Sequence, residues 1–88
     1  MIDRTYNGWK NYQTWNIALW LGNDEGYYSL AREFVGGYKS RNEGSCEGAY
    51  EAFAEDLREL GITETLDKVA FNDSGLDLEA LDEMLKEL

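Results

Sequence analysis

The chain has no histidine and a single cysteine, Cys46. An internal disulfide is therefore impossible, and thiolate-rich or imidazole metal sites of the usual kinds are excluded. No cofactor or metal is expected. Proline is also absent, which leaves glycine and polar caps to end the helices. No stretch of eighteen apolar residues occurs, and no basic region followed by an apolar run opens the sequence, so neither membrane insertion nor export is expected. A reducing, cytoplasmic setting fits. Positive charge is the scarcest commodity of the second half. Residues 43–88 hold fourteen acids against Arg58, Lys68 and Lys86, a net of −11, while residues 1–42 are nearly balanced at +1.

At 88 residues the chain is read as one domain, 1–88, that buries only about 60–65% of the surface of its unfolded form. Little room is left for an enclosed substrate cavity. Twelve aromatic residues, among them Trp9, Trp15 and Trp20, supply large buried area per residue, and most are expected in the core.

Apolar spacing is helical nearly throughout. Asn11 or Thr14 can cap a first helix through Trp15, Ala18, Leu19 and Leu21 to Gly22. A second begins near Asn23 or Asp24, buries Tyr27, Leu30, Ala31, Phe34 and Val35, and is expected to end at Gly36-Gly37. Residues 36–45 then read as an exposed loop. The third helix is the plainest: from Ser45 as cap, Cys46, Tyr50, Phe53, Leu57 and Leu60 alternate by four and three, and Gly61 stops it. Thr63 can cap a short fourth helix with Leu66, Val69, Ala70 and Phe71, broken by Asn72-Asp73-Ser74-Gly75. A last helix carries Leu78, Leu81, Leu85 and Leu88, with Ser74 or Asp77 as cap. Residues Ile2, Thr5 and Tyr6 read as extended chain laid over the core, since a lone strand has nothing to pair with. The expected fold is thus all-α, a compact bundle of four to five short helices with an extended N-terminal segment.

The acids are the candidate functional groups. Glu47, Glu51, Glu55 and Glu59 recur every four residues, about 6 Å apart along the third helix and opposite Phe53 and Leu57, with Asp56 beside them. Each like-charge pair at this spacing disfavours the helix by roughly 0.2–0.5 kcal/mol. The last helix repeats the theme with Asp77, Glu79, Asp82, Glu83 and Glu87 against Lys86 alone. Two such faces side by side would approximate the regular negative charge of a nucleic-acid backbone and fit a groove that binds phosphates. The plain alternative is a solvated outer face. Acid–base catalysis would need one carboxyl buried with a raised pKa, which the polar side of a helix does not provide, so an enzyme is not expected. The run from Asn72 to Asp77 lacks the ligand spacing of a helix-loop-helix calcium site. Direct nucleic-acid binding conflicts with the net charge of −10 and with the scatter of Arg4, Lys10, Arg32, Lys39 and Arg41.

Residues 9–20, Trp-Lys-Asn-Tyr-Gln-Thr-Trp-Asn-Ile-Ala-Leu-Trp, resemble an N-Y-x-T-W-N-x-x-L-W signature of small proteins from phages, plasmids and their bacterial hosts. Its physical reading is a polar-aromatic corner in which Asn11 and Asn16 bond backbone or indole donors and Thr14 caps. The resemblance implies a setting in a bacterial host cell, where small acidic proteins of mobile elements are similar to anti-defence factors of the anti-CRISPR or anti-restriction type. From the charge pattern, with the resemblance only adding to it, the expected function is inhibition of a basic, nucleic-acid-binding partner, such as a CRISPR effector or a restriction enzyme, by DNA mimicry through the ten acids Glu47, Glu51, Glu55, Asp56, Glu59, Asp77, Glu79, Asp82, Glu83 and Glu87. The alternative is a structural or assembly module that binds itself or another chain through its aromatic half and the leucine stripe.

Overall fold

The computed structural model describes residues 8–88, so the extended segment read from Ile2, Thr5 and Tyr6 lies outside the described residues. Four helices follow in order: α1 (Tyr12–Asn23), α2 (Glu25–Arg41), α3 (Ala49–Glu59) and α4 (Leu78–Lys86). The small domain is all-α, with one isolated antiparallel bridge, Glu64 to Ala70, in the long α3–α4 connection. Ile17, Leu21, Ala31, Val35, Tyr50, Phe53, Leu57, Phe71, Leu81 and Leu85 form a single core to which every helix contributes.

Local chemistry accounts for the helix ends. The Asn11 carboxamide oxygen accepts from the Thr14 amide at 2.9 Å and the Thr14 hydroxyl at 2.7 Å, which makes it the cap of α1. Asp24 closes one helix and opens the next. Its amide donates to Trp20 O at 3.0 Å while its carboxylate accepts from the Tyr27 amide at 3.0 Å, so α1 and α2 meet with no linker between them. Asp77 caps α4 by accepting from the Ala80 amide.

Three expectations are corrected. The first is the end of α2, which runs through Gly36-Gly37 to Arg41. Phe34 and Tyr38, four residues apart, straddle the glycines and pack on the core, and the Tyr38 hydroxyl donates to Glu47 O at 2.6 Å. Packing outweighs the helix cost of about 1 kcal/mol for each glycine. Leu30, expected inside, stays 39% exposed.

The second correction is the start of α3, at Ala49 rather than Cys46. Gly48 precedes it in a left-handed conformation, φ 78°, with the Tyr38 hydroxyl 3.3 Å from where a Cβ would stand. Ser45 bonds only the Glu47 amide, in a turn. The cap comes instead from α4: the two carboxylate oxygens of Asp82 accept from the Gly48 and Tyr50 amides at 2.9 and 2.8 Å.

The third is the segment 63–71, which is not a helix. Thr65, Val69 and Phe71 point inward while Glu64, Leu66 and Lys68 point out, an alternation of strand type rather than helical type. The Thr65 amide donates to Val69 O at 2.9 Å and the Phe71 amide to Thr63 O at 3.0 Å. Leu66, expected in the core, is 78% exposed at the tip of this turn.

What holds the turn is the corner built by α1. Asn16, fully buried, accepts from the Thr65 hydroxyl at 2.8 Å and donates to the Asp67 carboxylate at 2.7 Å, which also accepts from the Trp20 indole at 3.0 Å. Thr65 Oγ1 further accepts from the Asp67 and Val69 amides. The Asn11 side chain donates to Gly75 O at 2.7 Å, and buried Thr14 accepts from the Asp77 amide at 3.0 Å.

Replacing Asn16 by Ala would leave a buried threonine hydroxyl without its acceptor and is expected to cost about 2–3 kcal/mol in urea unfolding followed by circular dichroism. Asp67 gives a second test. Its carboxyl is held below the ordinary range by the hydrogen bond from Asn16 and then by that from Trp20. A lowered folded value means that its contribution is complete above the unfolded value of about 3.9 and is lost as pH falls through the folded one. Asp67→Asn is therefore expected to lower the urea midpoint at neutral pH and to flatten its decline on the acid side, with the Trp20 emission reporting the loosened corner.

Candidate functional site

The ten acids do not behave as one set. Asp77 and Asp82 are half-buried and engaged with the N-terminal amides of α4 and α3, where the helix dipole favours negative charge. The other eight, Glu47, Glu51, Glu55, Asp56, Glu59, Glu79, Glu83 and Glu87, are exposed. Glu47 lies just outside α3 rather than on its ladder, so the ladder proper is Glu51, Glu55 and Glu59.

The fold distributes these exposed acids over neighbouring concavities. Glu47 meets the α4 acids: an open groove of about 610 Å³ is lined by Glu47, Glu79, Asp82 and Glu83, with Lys86 as its only basic residue. The junction arises because Asp82 ties α4 to the start of α3, which brings the turn carrying Glu47 against the first turns of α4. Lys39 crosses from α2 to donate to Lys86 O at 2.9 Å, so its ammonium sits at the C-terminal end of α4. A second groove, of about 220 Å³, runs between α3 and residues 71–78 and is lined on one side by Glu51 and Glu55. Asp56 faces the other way, towards α2, in a groove with Leu30, Phe34 and Leu60.

Neutralisation is sparse. The one ion pair among the described residues joins Glu55 and Arg58 at 3.0 Å, one helical turn apart and with both side chains more than half exposed. The hydrogen bond that Arg58 donates to Glu55, together with the carboxylate's charge, raises the Arg58 pKa. Such surface pairs contribute little to stability. Among the described residues the remaining exposed acids of α3 and α4 form no ion pair.

The other candidate surfaces are in part used by the fold, while Leu78, Tyr12 and Leu19 remain exposed. Leu81 and Leu85 of the leucine stripe are fully buried, and Leu88 packs on the core from its edge. Trp9, Trp15 and Trp20 are half-buried. The Tyr50 hydroxyl donates to Phe71 O at 2.6 Å and burial pushes its pKa up, so the phenol stays neutral. Among the described residues no group of three or more potential metal ligands is clustered as a metal would require, and no helix is long and apolar enough to cross a membrane.

Sequence reasoning missed the role of Asp82. Its spacing from Glu79 and Glu83 places it at the edge of the polar face, but only the packing of α4 on α3 reveals which amides it meets. The polar character of the N-Y-x-T-W-N-x-x-L-W string, by contrast, did point to a corner.

The model of a family of unknown function (DUF7249) matches residues 2–88. No curated protein and no solved structure matches the chain.

Two substitutions separate capping acids from free ones. Asp82→Ala is expected to cost about 1–2 kcal/mol, because it strips the cap from α3. Glu83→Ala, its exposed neighbour, is expected to stay within about 0.5 kcal/mol of wild type in the same urea titration.

Proposed function

The chain belongs to the DUF7249 family, and from the geometry above we propose that it acts as a non-enzymatic inhibitor that occupies a basic, nucleic-acid-binding surface of another protein. The reading rests on one observation: the eight exposed carboxylates on and beside α3 and α4 are accompanied by a single ion pair among the described residues, Glu55 to Arg58. Interspersed lysine would relieve the repulsion among these acids. Here the repulsion is left standing, with three consecutive acids on α3 and a groove in which Glu47 faces Glu79 and Glu83. Such a surface becomes favourable when an array of arginine and lysine is placed against it, and arrays of that kind are what proteins use to hold phosphates.

The partner class follows from the chemistry. A groove built for DNA or RNA backbone offers spaced cations without demanding a base sequence, and carboxylates about 6 Å apart along a helix can fill it in the way that phosphates do. The nucleases of restriction systems and the effector complexes of CRISPR systems carry such grooves, and inhibition then means competition with the nucleic acid. Catalysis has no place in this reading, since the acids lie on open surfaces rather than in a water-excluded pocket.

The test is capture from bacterial lysate by the wild-type protein and by the double variant Glu51→Lys/Glu55→Lys, at low and high salt, with captured proteins identified by mass spectrometry. Both positions are exposed, so the helical circular dichroism is expected to persist. Capture of a nucleic-acid-binding protein is expected to weaken steeply with salt, to be lost in the double variant, and to be displaced by duplex DNA. Capture indifferent to charge reversal and salt would remove the acidic face from the mechanism.

A further inference from the structure

One surface joins the balanced half of the chain to the acidic one. Between α2 and α3 an open groove of about 300 Å³ has Phe34, Phe53 and Leu57 at its floor, Leu30 and Leu60 beside them, and a rim with Glu33 and Asp56 on it beside Arg41. Leu60 stands 66% exposed at its mouth and Leu30 39% exposed along its wall. Phe34, packed on Phe53 at 5.5 Å between ring centres, gives the floor a fixed shape. Arg41 and Asp56 line the same groove but form no ion pair with each other or with any described residue, since the only such pair is Glu55 with Arg58.

We propose that this groove is the contact surface of a two-fold dimer, in which Leu60 of each copy enters the Leu30/Phe34 cleft of the other and Arg41 pairs with Asp56 across the seam. A two-fold interface joins a patch to itself and so requires a patch that is self-complementary. This one offers both halves of a contact: a protruding leucine lies beside an apolar cleft, and Arg41 lies beside Asp56 and Glu33, none of the three in an ion pair among the described residues. The net charge of −10 limits the choice further. Two copies repel one another across the α3 and α4 acid faces, so contact is favoured where a cation and apolar area coincide. The α2/α3 groove combines them.

The mid-helix glycines agree with this use. Gly36 has open space where a Cβ would stand, and at Gly37 a Cβ would lie 3.2 Å from the Arg41 guanidinium. Absence of side chains there lets Arg41 fold back along α2 towards the groove and keeps the approach to it low. The Glu51/Glu55 groove and the Glu47/Glu79/Glu83 groove have linings separate from this one, so a dimer formed here would carry both acidic surfaces in duplicate.

Sedimentation equilibrium of the purified chain over a range of concentrations, at low and high salt, tests the dimer. The weight-average mass is expected to rise from 10.1 kDa towards twice that value, and to rise more readily at high salt, because screening relieves the long-range repulsion of two anionic copies. That salt dependence is opposite in sign to the one expected for a complex with a basic partner, so the two readings fail separately. Leu60→Glu, at an exposed position, is expected to weaken association by at least about tenfold with circular dichroism and thermal midpoint retained. Arg41→Glu is expected to weaken it as well, and Arg41→Glu combined with Asp56→Arg to restore it. A monomer at every concentration and both salts would overturn the proposal, as would association that neither Leu60→Glu nor Arg41→Glu weakens.

Discussion

The buried amide of Asn16 is the constraint on which the second half of the molecule depends. It is fully enclosed, so both of its ends need partners, and it finds them in the Thr65 hydroxyl and the Asp67 carboxylate. The segment from Gly61 to Asp77 has almost no regular structure of its own to satisfy its backbone. Side chains from α1 replace the missing ladder: Asn16 and Trp20 fix the turn at 65–69, while Asn11 and Thr14 fix the approach to α4 through Gly75 and Asp77. A one-sided loss at such a site is expensive, because the group left behind stays buried without its bond. The dependence then propagates. The corner sets where α4 begins, α4 carries Asp82 to the amides of Gly48 and Tyr50, and that cap sets where α3 begins.

Charge is arranged within that frame in two ways. Where a carboxylate meets a helix N-terminus, as at Asp24, Asp77 and Asp82, it satisfies amides that would otherwise lack partners and adds stability. Cations are placed by the same logic: Lys39 bonds the last carbonyl of α4, and Arg58 sits in the last turn of α3. The exposed acids of α3 and α4 are different. Folding concentrates them with only Glu55 in an ion pair among the described residues, and the core bears the cost. That core is compact enough to do so, with Tyr50, Phe53, Phe71 and five leucines or isoleucines at 0–2% exposure within a chain of 88 residues.

Much of the fold was legible in the sequence because it is encoded locally. The stripe of Tyr50, Phe53 and Leu57 gives α3, Asn11 and Asp77 read as caps, and the all-α class follows from the period of the apolar residues. What escaped was encoded between distant residues. Gly36-Gly37 read as a stop because their own propensity is poor, whereas Phe34 and Tyr38 on either side hold the helix to the core. Ser45 read as a cap because the residue that supplies the cap, Asp82, lies 34 positions further on. Residues 63–71 offered Leu66, Val69 and Ala70 at helical spacing, yet the inward residues are Thr65, Val69 and Phe71, and the decisive one is a threonine whose partner is on α1. For the candidate site the acids themselves were visible, but their division into capping and exposed groups was not.

That division bears on how one short helix can serve several surfaces. The buried side of α3 carries Tyr50, Phe53 and Leu57; Glu51 and Glu55 turn towards residues 71–78; Asp56 and Leu60 turn towards α2. Successive residues are about 100° apart around a helix, so Glu55 and Asp56 belong to different faces although they are adjacent in sequence. The two outward faces also answer oppositely to ionic strength. Screening weakens attraction between the Glu51/Glu55 face and a basic surface, and it relieves the repulsion that keeps two anionic copies apart. Low salt would therefore favour the proposed contact with a basic partner and disfavour the proposed dimer, while apolar contact at Leu60, which screening does not weaken, would act at either ionic strength.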